Sequence, residues 1–96
     1  MIDPMVKAIA ASISDKNGWE FTTGHSSDGK DLEYMSFKVK GIYFFIDEGA
    51  NLKIFPRTAL ADKLTDKVKF ELGKTEKRDI VSLIKILNTA LNERIE

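Results

Sequence analysis

The sequence predicts an α+β protein built on a mainly antiparallel sheet of about five strands, with a helix toward each end of the chain. Three observations predict it. Between Tyr34 and Phe55, runs of aromatic and β-branched residues are interrupted by two Gly-containing breaks, Lys40-Gly41 and Asp47-Glu48-Gly49-Ala50-Asn51. Near the C-terminus, Ile80, Leu83, Ile84, Leu87, Leu91 and Ile95 recur at helical spacing. Near the N-terminus, Asp3-Pro4 is a helix start followed by Met5, Val6, Ile9, Ala10 and Ile13. The expected order is α-β-β-β-β-(short α)-β-α. The 96 residues, 1–96, are expected to form a single domain.

The first helix should stop at Asn17-Gly18, and Trp19, Phe21 and Thr23 then alternate as a first strand. His25 to Gly29 reads as a polar loop with Asp28-Gly29 as its turn. In the meander that follows, a two-residue Lys40-Gly41 turn sets Val39 opposite Ile42 and Phe37 opposite Phe44. A loop from Asp47 to Asn51 then sets Ile46 opposite Leu52 and Tyr43 opposite Phe55. Pro56 ends that strand, since it has no N–H to donate. Arg57 to Leu64 reads as a short helix, and Val68, Phe70 and Leu72 alternate with Lys67, Lys69 and Glu71 as a fifth strand. Thr75 is the expected cap of the last helix, with Glu76 in its first turn.

Side chains alternate across a strand, so this register sorts the meander into two faces. Met35, Phe37, Val39, Ile42, Phe44, Ile46, Leu52 and Ile54 form a core face. Phe37, Phe44, Ile54, Phe70, Ile84 and Leu87 are expected to be buried. The other face collects Ser36, Lys38, Tyr43, Phe45, Lys53 and Phe55. With Lys40 and Arg57 beside it, this aromatic–lysine face is the expected binding surface. Aromatic rings stack on unpaired bases or anchor protein partners, while lysine and arginine hold phosphates. Two arrangements are open for it. The first helix packs over the rings, as burial of three large rings on a monomer favours, or the face is bare.

Fifteen basic and fifteen acidic residues cancel, which argues against a general polyanion binder. A hydrophobic share of 43% with 31% charged residues suits a folded chain rather than a disordered one. With no cysteine, disulfides and thiolate metal sites are excluded. No apolar run is long enough to span a bilayer, and Met1-Ile2-Asp3-Pro4 lacks the basic and apolar regions of a signal peptide, so a cytoplasmic location is expected.

Chemistry-bearing clusters are weak. His25, Ser26, Ser27 and Asp28 hold the components of a nucleophilic site, but adjacent in one turn rather than assembled from separate rigid elements. Asp28, Asp47 and Glu48 match no calcium loop or zinc spacing. No enzymatic activity, metal or cofactor is expected.

Part of the chain resembles the C-terminal, double-wing domain of phage MotA-type transcription activators. The likeness lies in Asp15-Lys16-Asn17-Gly18 after a helix, a Phe44-x-Ile46 strand with its polar turn, and Asn51-Leu52-Lys53-Ile54-Phe55. A short helix, Thr65-Asp66, a Val68-x-Phe70-Glu71-Leu72 strand and a closing helix complete it. The resemblance implies contact with DNA or RNA polymerase. The functional expectation is a small non-catalytic regulator that binds a protein partner. The alternatives are a nucleic-acid-associated accessory domain, for transcription or single-strand binding, and self-association through the C-terminal helix stripe.

Overall fold

The computed structural model describes residues 1–26, 31–75 and 79–92. The elements are α1 (Pro4–Asn17), β1 (Glu20–His25), β2 (Glu33–Val39), β3 (Ile42–Asp47), β4 (Leu52–Phe55), α2 (Ala59–Gly73) and α3 (Ile80–Asn92). The strands form one antiparallel sheet in the order β1-β2-β3-β4.

Turn chemistry sets the register. Lys40 and Gly41 both take positive φ, 54° and 79°, as a type I′ hairpin requires. Val39 therefore pairs with Ile42, Phe37 with Phe44 and Met35 with Ile46. In the next hairpin Asp47 Oδ1 accepts from the N–H groups of Gly49 and Asn51, and Ala50 takes φ 61°. The Asp47 N–H donates to the Asn51 carbonyl, so Asp47 is the last residue of β3 and the loop is Glu48 to Ala50. Ile46 pairs with Leu52 and Tyr43 with Phe55, as the sequence predicts.

α1 starts as expected, with Asp3 Oδ1 accepting from the Met5 N–H and Pro4 in the first turn. Its buried Ala10, the preceding Ile2, and half-buried Val6 and Ile13 pack into the same cluster as Met35, Phe37, Ile42, Phe44 and Ile46. Asn17 Nδ2 also donates to Asn88 Oδ1 on α3. Buried Ala61, Leu64 and Val68 of α2 and Leu83, Ile84, Ile86, Leu87 and Ala90 of α3 complete that cluster. The helices thus bury their apolar faces on one side of the sheet. The wide stripe of α3 goes into this core, with Ile80 and Leu91 half-buried at its margin; Ile95 lies outside the described residues.

Several expectations are corrected. Lys67 to Leu72 is not a fifth strand. The helix that begins at the Thr58 cap, whose Oγ1 accepts from the Ala61 N–H, runs on to Gly73. No Gly or Pro interrupts residues 59–72, and Ala61, Leu64 and Val68 share one helical stripe. Phe70 falls off that stripe and is 65% exposed, not buried, with Lys74 Nζ 4.2 Å from its ring centroid. The Val68–Leu72 strand of the double-wing resemblance is likewise helical here. Ile54 is only half-buried, because β4 is an edge strand with a neighbour on one side. Thr75 does not cap α3: its hydroxyl donates back to the Glu71 carbonyl at the end of α2. Asp79 caps α3, its Oδ1 accepting from the Ser82 N–H. The Asp28-Gly29 turn and Glu76 lie outside the described residues.

Candidate functional site

The sheet face that none of the described helices packs on is the candidate site. Two cross-strand rows can be read from the register. One runs Glu20–Lys38–Tyr43–Phe55 and the next Thr22–Ser36–Phe45–Lys53, from β1 to β4. None of these residues belongs to the hydrophobic core cluster. α1 therefore does not cover the rings. Its apolar side chains find a larger apolar area on the opposite face, where Phe37 and Phe44 are fully buried.

The aromatics on this face touch one another. Tyr43 and Phe45 alternate along β3 with ring centroids 6.0 Å apart and planes inclined by 15°. Tyr34 meets Phe45 edge-on at 5.7 Å. Tyr34 leans across to β1, where Gly24 leaves room for it: a Cβ on Gly24 would lie 2.6 Å from the Tyr34 hydroxyl oxygen. Ser36 is buried between these rings and its strand neighbours. Phe55, opposite Tyr43, is 64% exposed. Tyr34, Phe45 and Tyr43 thus form a run of contacting rings, and the register sets Phe55 beside Tyr43 at the β4 edge.

The charges on the face are mixed. Lys38 Nζ sits 5.4 Å from the Tyr43 ring centroid and 4.0 Å from Glu20 Oε2. Its charge is thus already shared between a carboxylate and a ring. Lys53 has no ion-pair partner among the described residues. Lys40 is exposed in the β2–β3 turn, off the ring strip. Arg57 lies past Pro56, and its guanidinium bonds Asp62 Oδ1 at 3.3 Å. Five of the expected residues therefore share the face, while Lys40 and Arg57 flank it. Tyr34 was missing from the expected set. Strand alternation from Ser36 reaches it directly, two residues back in the same strand.

His25 lies away from the rings. It ends β1, opposite Glu33, with Nε2 4.0 Å from Glu33 Oε2. The Glu33 carboxylate is engaged: Oε2 accepts from Lys7 Nζ at 2.9 Å and Oε1 from the Ile2 N–H at 2.6 Å. The Lys7 hydrogen bond first, and then the Ile2 N–H, hold Glu33 below the ordinary carboxylate value. This cluster ties the start of α1 to the rim of the core. Ser26 donates its N–H to the Leu32 carbonyl, and Ser27 and Asp28 lie outside the described residues. Among the described residues no three His, Asp or Glu side chains gather as a metal-binding group. No helix of the described residues is long and apolar enough to cross a membrane.

No protein-family model, no curated protein and no solved structure matches this chain, so the functional reading rests on the chemistry of the open face.

Proposed function

We propose that this protein is a small, non-catalytic regulatory module that binds a protein partner on its open sheet face. The carrying observation is the ring strip Tyr34–Phe45–Tyr43–Phe55 on the side of the sheet that the helices leave bare. Clustered Tyr and Phe side chains supply large contact area at low conformational cost, and such anchors dominate protein interfaces. The charge pattern favours a protein over a polyanion. Glu20 shares the face 4.0 Å from Lys38 and offsets that cation toward a phosphate backbone.

One observation favours the alternative of a nucleic-acid accessory domain. Tyr43 and Phe45 lie nearly parallel along one strand, with Lys53 beside Phe45, as a stacking platform for unpaired bases requires.

Photo-crosslinking from position 55 in the native host, compared with the same protein carrying Phe45→Ala, tests the first reading. Crosslinked protein that disappears with Phe45→Ala is the expected result. Crosslinks to RNA or DNA, together with salt-dependent oligonucleotide binding that Lys53→Glu abolishes, would overturn it in favour of the second.

A further inference from the structure

We propose that the free edge of β4 and the facing side of α2 form a second site, which takes an acidic extended peptide from a partner protein as a fifth strand. It shares Phe45 and Phe55 with the ring strip but rests on the unpaired strand edge and the groove beside it. Among the described residues β4 pairs with β3 alone. The Asp47 N–H bond to Asn51 fixes the ladder parity, so Lys53 and Phe55 exchange hydrogen bonds with Phe45 and Tyr43. The N–H and C=O groups of Leu52 and Ile54 then point away from the sheet. Among the described residues nothing takes them up.

α2 runs beside this edge but does not seal it. A groove of about 610 Å³ remains, walled by Thr65, Val68, Lys69 and Leu72 on the helix side. That volume lies in the usual range for a binding cleft. On the strand side the groove reaches Leu52 and Ile54 from the core face and Phe45, Lys53 and Phe55 from the open face, so it straddles the edge. An added strand would place alternate side chains on these two walls, and main-chain bonds to Leu52 and Ile54 would hold it.

Charge selects the occupant. Among the described residues every ionisable side chain lining the groove is cationic: Lys53, Lys69 and Arg57, the last of which also bonds Asp62. Lys53 and Lys69 have no ion-pair partner among the described residues, although the whole chain is neutral. Apolar Leu52, Ile54, Val68 and Leu72 supply the rest of the lining. The fitting ligand therefore alternates carboxylate and aliphatic side chains. A second copy fits poorly, because pairing two β4 edges brings lysines of like charge together.

The test is a titration of the isotope-labelled full chain with a short capped peptide of alternating glutamate and valine, with a lysine–valine peptide as control. The acidic peptide should shift amide resonances of Leu52–Phe55 and Thr65–Leu72 and slow hydrogen exchange at Leu52 and Ile54. Lys53 and Lys69 are both exposed, so the double variant Lys53→Glu/Lys69→Glu should fold. It should reverse the preference, favouring the lysine peptide by about ten-fold or more. Equal binding of the two peptides, no binding, or unchanged exchange at Leu52 and Ile54 would overturn the proposal. So would protection of those amides by self-association without peptide. Shifts confined to Tyr34 and Tyr43 would also overturn it, while leaving the ring strip as a binding face.

Discussion

Phe44 and Phe45 are neighbours in β3, chemically identical, and they meet opposite fates. Phe44 is fully buried between the sheet and the helices. Phe45 is half-buried, with the Tyr34 and Tyr43 rings against it. The same contrast holds for charge. Glu33, on the core face of β2, is 6% exposed and engages both Lys7 and the Ile2 N–H. Lys53, on the open face, stands in solvent with no ion-pair partner among the described residues. A buried polar group is costly unless paired, whereas a solvated one needs nothing. One face is thus closed by its own packing, and the other leaves its rings and lysines in reach of solvent.

The largest test of this contrast is Phe44→Ala. Removing a ring from the closed core leaves a cavity and should cost about 3–5 kcal/mol in chemical denaturation. A loss below about 1 kcal/mol would mean that the two faces have been assigned the wrong way round.

Glu33→Gln comes next and should lower Tm at neutral pH. Because the folded carboxyl titrates below its unfolded value of 4.5, the contribution is complete above that value and is lost as pH falls through the lower folded value. The Tm gap between wild type and Glu33→Gln should therefore narrow as pH is taken below 4.5. A gap that widens on acidification would contradict the ion pair.

Phe45→Ala should cost about 1 kcal/mol, since only part of its area leaves water on folding. The smallest effects belong to Phe55→Ser and Phe70→Ser. At 64% and 65% exposure each should change stability by no more than about 0.5 kcal/mol. A large loss from Phe70→Ser would restore it to the core, where strand alternation had placed it.

Much of the sheet was legible in the sequence because its determinants are local. Lys40-Gly41 and the Asp47-centred turn dictate the pairing of β2, β3 and β4, and alternation then assigns Lys38, Tyr43, Phe45, Lys53 and Phe55 to one face. The contacts that reach β1 were not legible, because no tight turn sets the pairing of β1 with β2: Glu20 to Lys38, and Tyr34 over Gly24. The segment Lys67–Leu72 shows the limit most clearly. Val68, Phe70 and Leu72 satisfy a strand period, while Leu64, Val68 and Leu72 satisfy a helical one. Only the tertiary structure chose between them, by giving Ala61, Leu64 and Val68 a common core to enter. The placement of α1 was decided the same way. Its sequence defines a helix with an apolar side, but the side of the sheet that it joins depends on where apolar area is left to cover, and that is a property of the assembled chain.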